Sequence, residues 1–182
     1  MTLDELREEI EAHHAASFQW SLVCCRGDSQ CAAEVLQSSY VKVLEQRRRF
    51  RGECSIKTWL FAIIRNTARE TARKESSRRA AFFRWAERDS EVTESRCESP
   101  SLETAEEAAE IAKAVRELSA RQRQVVHLVF YERMTLTDAA EVLHISIGSA
   151  RKHYQRAKER LRETLRDFKA DHHGPPARQQ RA

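Results

Sequence analysis

The sequence predicts an all-α protein in which two small helical domains are joined by a flexible acidic linker. Glycine and proline are scarce, with 4 and 3 among 182 residues, so few positions interrupt a helix. Apolar residues recur at spacings of three and four, which is the period of an amphipathic helix. One intervening stretch has almost no apolar residues and cannot bury enough surface to order itself. We therefore expect domains at residues 1–84 and 104–169, a linker at 85–103 and a disordered tail at 170–182.

The first domain is predicted to contain successive helices separated by two polar breaks, at residues 26–29 and 50–53. Between the breaks, apolar residues follow helical spacing; they are Val35, Leu36, Tyr40, Val43 and Leu44. After the second break, Ser55 is expected to cap a helix, because a serine side chain accepts a hydrogen bond from an unpaired amide at a helix start. Trp59 follows in that helix, and we expect it in the core.

The second domain is predicted to begin with a helix near residues 105–115. Two capping boxes then mark further helix starts. In a capping box, a Ser or Thr and an acid or amide three residues later exchange hydrogen bonds with each other's backbone. Ser119 with Gln122 forms the first box, and Thr135 with Asp138 forms the second.

The stretch MTLTDAAEVLHISIGSARKHYQRAKERL, residues 134–161, is predicted to form two short helices with a tight joint. The second helix has an apolar stripe that must face a core; its members are Ile147, Ala150, Tyr154, Ala157 and Leu161. Polar and basic residues at its start fall off this stripe; they are Arg151, Lys152, Gln155 and Arg156. The pattern fits a DNA-reading helix-turn-helix, whose second helix contacts base edges in the major groove. It also fits a helical hairpin with a solvated charged face.

Charge is distributed in blocks along the chain, although the formal net charge is only +4. Residues 42–84 contain 13 Lys or Arg against 4 Asp or Glu, and residues 144–169 contain 8 against 3. Between these blocks, residues 87–110 contain 9 acidic and 2 basic residues. Two basic blocks indicate a polyanionic partner such as nucleic acid.

Several classes of protein are disfavoured. The charged N-terminus lacks the apolar segment of a signal peptide, and no apolar run approaches the ~18 residues needed to cross a bilayer, so we expect a cytoplasmic protein without membrane insertion. No nucleophile–base pair, metal cluster or phosphate-binding glycine loop indicates an enzyme or a cofactor. The cysteines form no CxxC pair and are expected to be free thiols; they are Cys24, Cys25, Cys31, Cys54 and Cys97. A redox or metal sensor using Cys24, Cys25 and Cys31 is the alternative.

Two segments in this order resemble the extracytoplasmic-function (ECF) sigma factors, small members of the sigma-70 family of bacterial RNA polymerase subunits. The first is RFRGECSIKTWLFAIIRNTARETARK, residues 49–74, where Phe-Arg-Gly-acid and Ser lead into Thr-Trp-Leu and then Arg-Asn. The second spans residues 118–161, where Leu-Ser opens the segment, Ile-Gly-Ser begins the recognition helix and Arg-Ala-Lys-Glu closes it. The resemblance covers nearly the whole chain, from about residue 10 to residue 166.

The resemblance implies that the first domain opens the −10 promoter element and holds a flipped non-template base. The matching positions are Phe50, Gly52, Glu53, Ser55 and Asn66. Phe50 offers a stacking surface, and Asn66 can both donate to and accept from a base edge. The basic residues of the same block are implied to hold backbone phosphates; they are Lys57, Arg65 and Arg69, together with Arg47, Arg48, Arg49 and Arg73.

The resemblance also implies that the second domain reads the −35 element as a duplex. The matching contacts fall on Ser149, Arg151, Lys152, Gln155 and Arg156. The clamp and flap regions of core RNA polymerase are implied partners, with Glu34 and Gln37 at the clamp-binding positions, and an anti-sigma factor is a further one. No cofactor is implied.

The chain departs from the family pattern at three places. Ser38 stands where the family usually has an acid, which predicts weaker or rearranged clamp binding. His144 stands at the helix-turn-helix joint, where the family usually has glycine or a similar small residue, so a left-handed backbone there costs roughly 1 kcal/mol. Residues 152–154, Lys-His-Tyr, differ from the usual Ser-Arg-Leu type and predict an unusual −35 sequence.

A stand-alone helix-turn-helix regulator, which binds duplex DNA without polymerase, is the alternative function. The first domain argues against it. A simple repressor has no use for a base-capturing loop that contains Phe50 and is followed by Asn66.

Overall fold

The computed structural model describes residues 2–46, 50–83 and 111–172, and every regular element in these ranges is a helix. The predicted linker and the C-terminal residues 173–182 lie outside them, as do the three arginines at residues 47–49. None of the helices in the described ranges combines the length and apolarity needed to span a membrane.

The first domain consists of four helices. Helices α1 (Leu3–Ala12) and α2 (His14–Cys24) follow each other almost without a break. Helix α3 (Ser29–Gln46) and the long helix α4 (Ile56–Phe83) pack against α2 and against each other. The break predicted at residues 26–29 is confirmed: Arg26 and Gly27 both have positive φ, which ends α2 and reverses the chain.

The second domain starts with residues 111–117, which are helical (α5). Helix α6 (Ala120–Val126) continues directly into a π-helical turn (His127–Tyr131). Two further helices, α7 (Leu136–Val142) and α8 (Ile147–His172), form the predicted helical pair. Helix α8 therefore extends three residues into the segment predicted as a tail.

The predicted helix caps are confirmed. The Ser55 Oγ accepts a hydrogen bond from the Thr58 amide at 3.1 Å. Ser119 and Gln122 exchange both hydrogen bonds of a capping box. Thr135 and Asp138 form the second capping box. These local contacts set where α4, α6 and α7 begin.

One buried apolar cluster spans both domains. It contains Trp20, Leu60 and Ile64 from the first domain, and Leu128 and Leu143 from the second. Helix α4 is the main bridge, because it packs against α7 as well as against α2 and α3. The two domains therefore share a core in this structure.

Two expectations about apolar residues were wrong. Leu44 is 44% exposed and Ile147 is 40% exposed. Each lies at the edge of its apolar stripe, where the helix has already turned away from the core. Trp59 packs against the core cluster as expected, but it is half-buried and also contacts Phe50.

Candidate nucleic-acid interface

The joint between α7 and α8 is a tight helix-ending turn centred on His144. The His144 amide donates to the Glu141 carbonyl and the Ile145 amide donates to the Ala140 carbonyl, both at 3.0 Å. This pair of bonds closes a helix when the residue after the cap is left-handed. His144 has φ 44°, so the sequence-based expectation of a left-handed residue there is confirmed. The turn aims the start of α8 away from the core.

The first turn of α8 is held by Ser146. Its hydroxyl accepts a hydrogen bond from the Ser149 amide at 3.1 Å and lies 2.9 Å from the Ser149 hydroxyl. Ser146 thus acts as the helix cap, which satisfies an amide that would otherwise be unpaired. Ser149 is half-buried beside this cap, and its hydroxyl is paired with that of Ser146.

The predicted reading residues share the open face of α8. Arg151, Lys152, Gln155 and Arg156 are all exposed, whereas Ala150 and Ala157 are fully buried on the opposite face. A cleft of about 420 Å³ borders this face, and its lining includes Leu136 and Tyr154 beside three of the reading residues. The Gln155 amide donates to the Glu159 carboxylate at 3.0 Å, so Gln155 must leave Glu159 to reach a base.

The loop before α4 is also open. Phe50 lies against Trp59 with ring centroids 5.1 Å apart, which leaves an aromatic surface at the loop start. Gly52 has φ 73°, a backbone conformation that side-chain-bearing residues rarely adopt. Glu53 and Ser55 are exposed. The structure thus brings four of the five predicted base-capture residues into one surface loop.

The predicted residues on α4 itself are mostly covered by the second domain. Asn66 Nδ2 lies 3.2 Å from His144 Nε2, within hydrogen-bonding distance. Lys57 Nζ forms an ion pair with the Glu132 carboxylate at 2.8 Å and donates to the Glu132 carbonyl at 3.1 Å. Arg65 is 1% exposed, and Arg69 is exposed.

Two family models match the chain in the order in which these surfaces occur. Sigma-70 region 2 matches residues 13–78, and sigma-70 region 4 matches residues 108–161. The chain belongs to the sigma-70 family. The region 2 match contains the loop and α4, and the region 4 match contains the helix-turn-helix.

Known relatives and structures extend over most of the chain. The ECF RNA polymerase sigma factor SigX of Bacillus subtilis is 26% identical over 159 residues, 85% of this chain and 80% of SigX. Among solved structures, the sigma factor RpoE in complex with the anti-sigma factor NepR from Bartonella quintana has a TM-score of 0.70 at 24% identity, with 90% of this chain and 98% of that one aligned. CnrH in complex with the cytosolic domain of CnrY has a TM-score of 0.62 at 19% identity, with 91% and 90% aligned. These two likenesses show the fold.

The contact between region 2 and region 4 has an aromatic centre that no pattern in the sequence predicts. Trp20 is fully buried and donates through Nε1 to the Phe61 carbonyl at 3.0 Å. Its ring stacks on Phe61 within region 2 and on His127 of region 4, with centroids 5.8 and 5.6 Å apart. We call the contacts of Trp20–His127, Lys57–Glu132 and Asn66–His144 the interdomain junction.

Charge at the interdomain junction is only partly compensated. Burial raises the pKa of Glu132, but the adjacent His127 ring, 3.3 Å away, and the Lys57 ammonium outweigh it and hold the pKa below its usual value. Around Arg65 the balance is reversed. Burial, and then the charges of Arg121 and Arg69, lower its pKa to about 10, which still leaves it charged at neutral pH.

Arg65 has no hydrogen-bond partner within the described part of the chain for any of its three guanidinium nitrogens. A buried charged donor without a partner costs at least ~1–3 kcal/mol. These arginines also affect His144. Its pKa is lowered by burial and then by the charges of Arg65 and Arg69. The interdomain junction is therefore stabilised by packing and by the Glu132 ion pair, and is opposed by repulsion among its cations.

A second kind of surface lies on α3 of region 2. Its buried face contains Ala32, Val35, Leu36, Ser39 and Val43. Its outer face exposes the predicted polymerase contacts Glu34 and Gln37, and also Val41 (51% exposed) and Leu44 (44% exposed). Exposed aliphatic side chains beside polar ones are typical of a protein-binding face. Sequence reasoning missed Val41, although it lies four residues after Gln37 and three after Ser38, which places it on the same helix face.

The three clustered cysteines do not assemble a metal site, since no group of three or more potential ligands occurs within the described ranges. Cys24, Cys25, Cys31 and Cys54 are free thiols there. Cys97 lies outside the described residues.

Proposed function

We propose that this chain is a dissociable sigma subunit that binds core RNA polymerase, recognises the −35 and −10 promoter elements and promotes DNA melting at the −10 element. One observation carries this proposal: a single chain has two separate surfaces suited to two forms of DNA. The exposed face of α8 suits duplex DNA, and the loop at residues 50–55 suits a flipped base. A regulator that reads only duplex DNA needs the first surface alone.

The chemistry of α8 supports duplex recognition. Arginine donates two hydrogen bonds to the O6 and N7 acceptors of guanine, and glutamine pairs with adenine in the same groove. Arg151, Gln155 and Arg156 lie within the first three turns of α8 and face outward. Lys152 and Ser149 flank them and suit phosphate oxygens.

The chemistry of the loop supports capture of a single-stranded base. An unstacked base recovers stacking energy on an aromatic ring, worth about 1–3 kcal/mol. Phe50 and Trp59 provide adjacent rings. Gly52 leaves open space in the loop, with no atom within 4 Å of the position a side chain would take, and Asn66 supplies an amide that can read a base edge.

Binding to the two DNA elements requires the interdomain junction to open. The element names place them about 25 base pairs apart, which is about 85 Å at 3.4 Å per base pair. Asn66 touches His144, and Arg156 lies 12 residues further along a mostly helical chain, so the two reading surfaces are separated by at most about 40 Å. The closed arrangement therefore cannot contact both elements at once.

Core polymerase is the partner that would hold the domains apart. Binding through the outer face of α3, with Glu34, Gln37, Val41 and Leu44, leaves the DNA surfaces free. Exposed Phe130 and Tyr131 (71% and 64% exposed) offer a second apolar contact on region 4, which suits the flap. With both domains tethered, neither needs high affinity for DNA by itself, because the second contact forms at high effective concentration.

We also propose an anti-sigma factor as a regulator. The Bartonella quintana sigma factor with the same fold was solved with one bound. Such a protein would act here by stabilising the closed arrangement, in which Asn66, Lys57 and Arg65 are already withheld from DNA.

Run-off transcription with core RNA polymerase tests the proposal. A random promoter library is first selected with the polymerase–chain complex, and the selected template is then transcribed. We expect transcripts that depend on the added chain and start at one position. Tight, sequence-specific duplex binding by the chain alone, with no transcript from any selected template, would establish the stand-alone regulator instead.

A further inference from the structure

We propose that Cys25 and Cys31 form a reversible disulfide, which makes the turn between α2 and α3 a thiol modification site. The Cys31 thiol lies 3.0 Å from Cys25 Sγ in hydrogen-bond contact. A disulfide needs the two sulfurs about 2.05 Å apart, so a shift of about 1 Å is sufficient. Both side chains are half-buried, which leaves them open to a small reagent.

The local backbone keeps the two thiols together. Cys25 is the C-terminal cap of α2, and its carbonyl accepts the Asp28 amide at 3.2 Å. The Asp28 carboxylate in turn accepts the Cys31 amide at 2.9 Å. Arg26 and Gly27 reverse the chain between them with φ of 59° and 92°. The pairing is therefore built into a short capped turn.

A small-molecule disulfide such as oxidised glutathione balances the reaction. The Cys31 thiolate attacks one sulfur of the reagent, forms a mixed disulfide and releases one reduced thiol. The Cys25 thiolate then attacks the Cys31 sulfur, closes the internal disulfide and releases the second reduced thiol. Two protein protons are lost and two reagent thiols are formed, so no further oxidant is needed. A reducing dithiol reverses both steps.

The environment of the pair sets its rate. Burial raises the pKa of Cys25 and Cys31 above the usual value. On Cys31 the hydrogen bond with Cys25 acts against this, whereas the negative charges of Glu75, Asp28 and Glu34 add to it, and its pKa stays raised. Only the thiolate attacks, so the pair is unreactive at neutral pH compared with an exposed thiol. We expect oxidation to accelerate about tenfold per pH unit between pH 7 and 9.

The position of the pair gives the modification a consequence, and this part rests on the proposed function. Cys31 lies one turn before Glu34 on α3, and Gln30 Nε2 donates to the Glu34 carboxylate across the same turn at 3.3 Å. Drawing Cys31 towards Cys25 shifts this turn, which begins the polymerase-binding face. We therefore expect the oxidised chain to bind core polymerase several-fold more weakly, and to recover on reduction.

Peptide mapping of the oxidised full-length chain tests the site without polymerase. Trypsin cleaves after Arg26 and so separates Cys25 from Cys31 unless a disulfide joins the two peptides. We expect a joined pair that splits on reduction. It should be lost in Cys25→Ser and Cys31→Ser and retained in Cys24→Ser. If the two peptides stay joined in Cys25→Ser but not in Cys24→Ser, the assignment to Cys25 is overturned. It is also overturned if the two peptides are not joined under conditions in which the same oxidant modifies Cys54.

Binding of core polymerase to the reduced and oxidised chain is measured separately. Oxidation should weaken binding in the natural sequence and have no effect in Cys31→Ser. A confirmed disulfide with unchanged polymerase affinity would overturn the regulatory consequence alone. Failure of the reduced chain to bind polymerase at all would overturn the proposed function and leave the disulfide standing.

Discussion

The two DNA-facing surfaces of this chain differ in how accessible they are. On α8 of region 4, Arg151 and Arg156 are exposed, and none of the described residues of region 2 covers them. On α4 of region 2, Asn66 touches His144, Lys57 is paired with Glu132 and Arg65 is buried. The proposed duplex-reading surface is therefore open in the free chain, whereas three residues of the proposed −10 surface must first be uncovered.

The largest expected effect comes from removing a base contact on the open surface. Arg156→Ala should weaken binding to the −35 duplex by about 1–3 kcal/mol, or roughly 5- to 150-fold, and relax the base preference at one position. Run-off transcription and selection from a randomised −35 element measure both effects. Arg162→Ala removes an equally exposed arginine from the same helix, two turns away, and should leave the preference unchanged. If Arg156→Ala also leaves it unchanged, Arg156 is not a reading residue.

A smaller, separable effect is expected on the covered surface. Asn66→Ala should slow open-complex formation about tenfold, because a captured base loses its hydrogen-bonding partner, while binding to the −35 duplex stays the same. Permanganate footprinting of the −10 region measures the opening. His144→Ala is the matched control, since it removes the same interdomain contact but keeps Asn66. Equal opening defects in the two variants would mean that Asn66 acts only through the contact with His144.

The interdomain junction should weaken when its ion pair is removed. Glu132→Gln takes a carboxylate away from Lys57 and His127, which costs about 1–3 kcal/mol for a charged hydrogen-bonded group. We expect the free chain to populate the open arrangement more often and to melt at a lower temperature. Fluorescence of Trp20, measured in a background with Trp59→Phe and Trp85→Phe, reports this, because its ring stacks on His127 in the closed arrangement. Glu163→Gln, on the exposed side of α8, should change neither signal.

The smallest effect is a pH dependence of the same junction. His144 has a lowered pKa in the closed arrangement, where it faces Asn66, Arg65 and Arg69 from α4 and Glu141 from α7. The closed form therefore binds fewer protons than the open form below the ordinary histidine pKa of 6.5. Its stability is fully present above that value and falls as the pH falls through it. Domain opening, followed by Trp20 fluorescence between pH 7.5 and 5.5, should increase in acid, and His144→Asn should remove most of the dependence.

Much of the fold follows from local signals in the sequence. Ser55, Ser119 and Thr135 were predicted as helix caps and are caps, because a cap depends on residues no more than three positions apart. The left-handed conformation of His144 was also predicted, from the family resemblance, because a glycine or similar small residue usually stands at this joint. Errors arose at Leu44 and Ile147. Periodicity finds the apolar stripe of a helix, but it does not say how wide the neighbouring core is.

The interdomain junction was beyond sequence reasoning. Asn66 and His144 are 78 positions apart, and neither has a pattern that names the other. The π-helical turn at His127–Tyr131 was missed for a related reason. Its apolar residues suit an ordinary helix. The contacts that His127 makes from this turn, with Trp20 and with Glu132, form only when the domains are packed. Long-range contacts of this kind depend on the packed arrangement, and a single sequence does not display them.

The two domains are joined at the interdomain junction in the free chain, and we expect them to separate when both proposed DNA surfaces are used. Pulsed electron-spin distance measurement between probes at Glu8 on α1 and Arg162 on α8, both exposed, tests it most directly. We predict one short distance for the free chain, and a distance longer by about 40 Å or more in the complex with core polymerase and promoter. The same short distance in a transcriptionally active promoter complex would show that the two domains do not separate when both elements are bound.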